Sequence, residues 1–158
     1  AETLTMLDLT RNSARTLFES SVSCIGGTVC QVGIRDSQGL LAACVAAARE
    51  ADLPDGALPQ IHISGCPSSC GTHQTGSLGF RGASKLVDGK PQSAFTLFVG
   101  GDGRQGSETM GRELGVMLEA RIPAFLVEVG RAAAARGFAA WREAEPAALE
   151  EIAAGYLV

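Results

Sequence analysis

The spacing of apolar positions changes period several times along the chain, and each change predicts an element. Ala14, Leu17 and Phe18 fall at helical spacing within residues 10–20, and the pattern stops at Ser20, Ser21 and Ser23. Leu40, Leu41, Cys44, Val45 and Ala48 repeat with a helical period behind Asp36 or Ser37. Either residue can cap a helix by accepting a bond from an otherwise unpaired backbone N–H. The Ala-rich stretch 42–48 adds intrinsic helix propensity, and Pro54, Asp55 and Gly56 stop the helix and turn the chain.

Strand signals follow. Gln60-Ile61-His62-Ile63-Ser64 alternates polar and apolar side chains and leads directly into Gly65-Cys66-Pro67-Ser68-Ser69-Cys70-Gly71. Two further strands are predicted from Gly76 to Val87 and from Ala94 to Val99, joined into a hairpin by the turn-forming run Asp88-Gly89-Lys90-Pro91. Gly100, Gly101, Gly103 and Gly106 make the next loop permissive. Residues 121–136 then read as a helix with Ile122, Phe125, Leu126 and Val129 on its apolar face, and two shorter helices are expected at 138–143 and 146–155. Without an internal repeat or a long linker, the chain is expected to form a single domain over residues 1–158. Its fold class is α/β (α+β), with a mixed, largely antiparallel sheet covered by helices.

Composition narrows the function classes. The apolar fraction is 46%, but aromatics are only one Trp, one Tyr and six Phe, so the core is built mainly from Ala, Val, Leu and Ile. Thirteen basic against seventeen acidic residues give a net charge of −4 with no run of Lys or Arg, which argues against nucleic-acid binding. No apolar stretch is long enough for a membrane span and no secretory leader is evident, so a cytoplasmic protein without membrane attachment is expected. The chain begins at Ala1 without an initiating Met, which points to a piece of something longer.

Five cysteines in a chain of this kind read as metal ligands or buried thiols rather than as a disulfide framework. Cys24 and Cys30 are spaced Cys-x5-Cys, and Cys66 and Cys70 are spaced Cys-x3-Cys. Two close pairs on separate loops can supply the four converging thiolates of a 4Fe–4S cluster. Gly26, Gly27, Gly65, Ser68, Ser69 and Gly71 would let the backbone approach a bulky inorganic group and donate N–H bonds to its sulfurs. A structural zinc site uses similar ligands, but its pairs are usually closer than Cys24 and Cys30. Cys44 lies on the apolar face of the Ala-rich helix and reads as a buried thiol outside the site.

The two spacings together, with Ser64-Gly65-Cys66-Pro67-Ser68-Ser69-Cys70-Gly71 and the following Gly76-Ser77-Leu78-Gly79-Phe80-Arg81-Gly82, resemble the sirohaem-containing nitrite and sulfite reductase family over residues 10–136. Ser68 stands where the family usually has Asn. The resemblance implies a 4Fe–4S cluster held by Cys24, Cys30, Cys66 and Cys70, with Cys70 also the axial ligand that bridges to sirohaem. It implies six-electron reduction of a small inorganic anion, nitrite or sulfite, fed by ferredoxin or a flavoprotein. Arg35, Arg81 and Lys85 are candidates for the sirohaem carboxylates, because cationic side chains suit charge-assisted bonds to carboxylate, and His73 is a further candidate cofactor contact. Family members are far longer, with two related halves, so the chain is expected to be the C-terminal, cluster-binding portion. Its partner would be the N-terminal half of the same reductase, without which the piece is expected to be inactive. No catalytic residue is assigned. A monooxygenase of cobalamin biosynthesis shares the cysteine pattern, and a cluster carrier or zinc module that never meets sirohaem is the alternative from another class.

Overall fold

The computed structural model describes residues 16–158. Its five strands are β1 (Val22–Ser23), β2 (Ile61–Ser64), β3 (Leu78–Val87), β4 (Lys90–Val99) and β5 (Arg112–Leu118). They form one open sheet in the order β1-β2-β3-β4-β5, with β1, β2 and β3 parallel and the β3–β4 and β4–β5 pairs antiparallel. Among the described residues there are four α-helices, namely α1 (Ser37–Glu50), α2 (Ile122–Ala133), α3 (Phe138–Ala144) and α4 (Ala148–Ala154). The fold is therefore α+β with a mixed sheet, as expected.

Local chemistry accounts for most element ends. Asp36 caps α1 by accepting from Gly39 N at 2.9 Å, and the helix stops at Glu50, ahead of the left-handed Asp52 and of Pro54. Pro123 sits in the first turn of α2, where its missing N–H costs no helical bond. Ile122, Phe125, Leu126 and Val129 of α2 are buried with Leu40 and Cys44 of α1. They share one core with Ile61 and Ile63 of β2, Leu78 and Phe80 of β3, Phe95 and Leu97 of β4, and Met117 of β5. Because strand side chains alternate, Ser64, Gly79, Arg81, Thr96 and Phe98 belong to the opposite face.

Four expectations change. The helical pattern at 10–20 is a single 3₁₀ turn at Phe18–Ser20, and its residues 10–15 lie outside the described ones. The hairpin turn is tighter than the four-residue run. Asp88 (φ 50°) and Gly89 (φ 75°) are both left-handed, as a two-residue hairpin turn requires, and Val87 already pairs with Lys90. Pro91 consequently lies inside β4, but β5 pairs only from Ala94 onward, so the missing N–H breaks no ladder bond. Strand β5 forms between the glycine-rich loop and the helix at 121–136, in a stretch to which no element was assigned. Its alternation is weak and it carries Arg112 and Glu113, so pairing with β4, bulged at Leu97/Phe98, decides its conformation. Strand β1, two residues long, is too short to read from period alone.

Candidate metal centre

Strands β1 and β2 run side by side in the same direction, with Ser23 opposite Ile63, so the chain leaves both at the same end of the sheet. Cys24 follows one strand and Gly65-Cys66 the other. Cys24 N donates to Ile63 O at 3.0 Å, extending the ladder by one residue. Gly65 N donates to Cys24 Sγ at 3.1 Å, and Gly65 O accepts from Ile34 N at 3.1 Å and Arg35 N at 3.0 Å. The first cysteine loop is thus docked on the residue that precedes Cys66. Only glycine fits there, because a Cβ on Gly65 would stand 2.6 Å from Arg35 O, and one on Gly82 of β3 would stand 2.2 Å from Gly65 O.

All five cysteines are free thiols. Cys66 is buried, Cys24 and Cys30 are half-buried, and Cys70 is exposed. Burial alone would push the Cys24 thiol up, but hydrogen bonds from Ser37, the Gly65 N–H and Gly26 outweigh it and hold the thiol below its ordinary range. Ser37 Oγ lies within hydrogen-bond reach of both Cys24 Sγ, at 3.2 Å, and Cys24 O, at 2.8 Å, so its one proton is shared between the two acceptors. Cys30 is fixed through its backbone, N to Gly26 O at 2.9 Å and O from Gly33 N at 3.1 Å. Among the described residues, no three His, Cys, Asp or Glu side chains are gathered closely enough to hold a metal ion. The arrangement is therefore two adjoining thiol-bearing loops, not a closed cage. The chemistry of the donors, free thiols with one shifted toward thiolate and backed by a main-chain N–H, fits a thiophilic metal or an iron–sulfur cluster.

The second loop folds back over the face of the sheet that the helices leave open. Gly71 N donates to Ser64 Oγ at 3.1 Å, and His73 Nδ1 lies 3.0 Å from the same oxygen. The His73 ring packs against Phe98 at 4.8 Å between centroids. Burial, with the Arg81 guanidinium adding to it, pushes His73 down to about 4, so it is neutral near pH 7. Arg81 lies 5.0 Å over the Phe98 ring and pairs with Glu113 of β5 at 3.1 Å. Of the cofactor candidates, His73 and Arg81 therefore meet around Phe98. Arg35 is separate: its Nε donates to Ala83 O and its Nη1 to Ile34 O, both at 2.6 Å. Lys85 lies beyond the end of β2 and donates to Val158 O at 2.8 Å. Ser37, Ser64, Phe98 and Glu113 escaped the sequence reading. Ser37 carried a signal as a helix cap, whereas the others acquire partners only through the folded-back loop and the unforeseen β5.

No family model matches the chain. It is 35% identical over 86 residues to the ferredoxin–nitrite reductase of Synechococcus elongatus, covering 54% of this chain and 16% of the relative. It is 31% identical over 107 residues to that of Leptolyngbya laminosa, covering 68% and 20%. The chloroplastic ferredoxin–nitrite reductase of Zea mays is 36% identical over 97 residues, covering 59% and 16%. The fold is shared with the solved structure of the Mycobacterium tuberculosis NirA protein, at TM-score 0.69 and 20% identity over 90% of this chain and 29% of that one. The chain belongs to the nitrite and sulfite reductase family, and its matches span a fifth or less of the length of these curated relatives.

Proposed function

We propose that residues 1–158 form the cluster-carrying domain of a sirohaem-dependent nitrite or sulfite reductase, with Cys24, Cys30, Cys66 and Cys70 as the cluster ligands and Cys70 as the bridge to sirohaem. The observation that carries this reading is the docking of one cysteine loop on the other through Gly65, whose N–H reaches Cys24 Sγ. When bound, the paired cofactors would supply one-electron steps at an iron that holds the anion. This chain's own residues hold and tune: the Gly65 N–H and Ser37 stabilise the Cys24 thiolate, buried Cys66 excludes water, and exposed Cys70 faces outward. Arg35, Arg81, Lys85 and His73 are the proposed contacts to sirohaem carboxylates, and Arg35, Arg81 and Lys85 would need to exchange their present partners to make them.

Ile25, Val29, Val32 and Ile34 are 49% to 67% exposed on the first loop, an apolar cluster beside the thiols. Such a surface supports an extensive, permanent partner, the remainder of a longer reductase, in which the N-terminal half would supply the grip on nitrite or sulfite. Ferredoxin is the proposed donor, on the names of the relatives. No helix of the described residues is long and apolar enough to cross a membrane, and a cytoplasmic site of action is proposed with this function.

The test is anaerobic reconstitution with iron and sulfide, followed by metal analysis and an optical spectrum with and without sirohaem. The expected result is four iron atoms and four acid-labile sulfides per chain, the cluster stoichiometry. Cys70→Ser should abolish cluster retention, whereas Cys44→Ser should leave the spectrum unchanged. Stoichiometric zinc without sulfide would overturn the reading. Ammonia or sulfide production by this chain alone, with reduced viologen, would overturn the division of labour.

A further inference from the structure

The return of the chain after Cys70 is held by two buried polar side chains that bind each other, with Ser69 Oγ a longer 3.5 Å from the same His73 Nδ1. Ser64, the last residue of β2, is 1% exposed, and His73 is 2% exposed. Ser64 Oγ accepts the Gly71 N–H and pairs with His73 Nδ1 at 3.0 Å, a bond in which the imidazole tautomer sets which partner donates. Around this contact the loop adopts backbone that L-residues avoid: Ser69 has φ 63° and Thr72 has φ 51°. Such conformations persist only where the surroundings over-determine them. The surroundings here are close: a Cβ on Gly71 would stand 2.0 Å from Ile63 O, and one on Gly79 of β3 would stand 1.8 Å from His73 O. Ser69 adds a bond to Gln74 Oε1, and Thr72 N donates to Ser69 O at 2.8 Å.

We propose that Ser64 and His73 are positioning residues, a buried clasp that locks the reversal after Cys70 and so presents Cys66 and Cys70 in the one arrangement that receives the cluster. The inference rests on the reading of these cysteines as cluster ligands. It assigns no contact between either residue and the cluster. The clasp works by closing a ring from the end of β2, through Cys66 and Cys70, back to the same strand, so loop order is established before any metal arrives.

Three variants test it: Ser64→Ala, His73→Leu and His73→Asn. Leu keeps the bulk against Phe98 without the hydrogen bond, while Asn sets an amide group near the place of Nδ1. In the metal-free chain, amide exchange at Gly71 should quicken by about tenfold or more in Ser64→Ala. After reconstitution, Ser64→Ala and His73→Leu should lose cluster to a chelator about tenfold faster than the parent and show a broadened electron-resonance signal, while His73→Asn should restore both. Should Ser64→Ala fail to fold, the His73 pair decides. The proposal is overturned if His73→Leu, folded, keeps the parent's cluster lifetime and signal, or if Asn behaves no better than Leu. A parent chain that takes up no iron would sink the ligand reading alone, and the Gly71 exchange rate would still decide whether the clasp exists.

Discussion

The two cysteine loops leave neighbouring strand ends, yet they are built on opposite plans. The first, residues 24–36, lies outside the sheet, is anchored by main-chain bonds to Gly65 and leaves Ile25, Val29, Val32 and Ile34 open. The second turns inward, inserts His73 between Ser64 and Phe98 and seals a face of the sheet with almost no room to spare. Both loops use glycines in close backbone contact, Gly27 with Gly33 in the first and Gly71 with Ile63 in the second, so the difference lies in the side chains. The first turns apolar ones outward, where a partner can meet them, and the second turns short polar ones inward, where they fix geometry.

The strongest way to break this comparison is to spoil the seal. Gly79→Ala forces a Cβ to 1.8 Å from His73 O, where backbone must move, and should cost about 3 kcal/mol or more in urea unfolding. Gly89→Ala is the control, since no atom lies within 4 Å of its Cβ and only its φ of 75° opposes the change, at about 1 kcal/mol.

Acid sharpens the comparison next. His73 titrates near 4 when folded against about 6.5 in an unfolded chain, so between those values the unfolded state binds more protons. The stability it contributes is complete above the unfolded value and is lost as pH falls from about 6.5 through 4, a loss on the order of 2 kcal/mol. His62, half-buried against Thr72 and shifted down by burial, acts in the same direction. Urea midpoints measured from pH 7 to 4.5 should therefore fall less steeply in His73→Asn than in the parent; equal slopes would show that His73 does not carry its share.

The smallest expected effect belongs to the first loop. Ser37→Ala removes one of the bonds that lower the Cys24 thiol, and the pH midpoint of Cys24 alkylation should move upward with little change in unfolding. A large loss of stability instead would mean that the first loop is as tightly built as the second.

Period and capping made α1, α2 and the β3–β4 hairpin legible, because the Asp36 cap, the spacing of Ile122, Phe125, Leu126 and Val129, and the Asp88-Gly89 turn act locally. Strand β5 was not, since Arg112 and Glu113 take their conformation from β4 rather than from their own sequence. The cysteine spacing was legible for the same local reason. Arg81 was read as a cation awaiting a carboxylate, and the folded chain already gives it Glu113 and the Phe98 ring, partners that a linear pattern does not bring together. Ser64 looked like an ordinary strand end, and its importance arises only because the loop returns to it.

Cys44 has a practical consequence for anyone handling the molecule. Burial, with the Glu119 carboxylate adding to it, pushes its thiol up to about 12, so it stays silent toward alkylating reagents at neutral pH while helix and sheet remain together. Its labelling rate is a stopwatch for global opening, started by the protein itself, against which the faster chemistry of the loop sulfurs can be timed in a single sample.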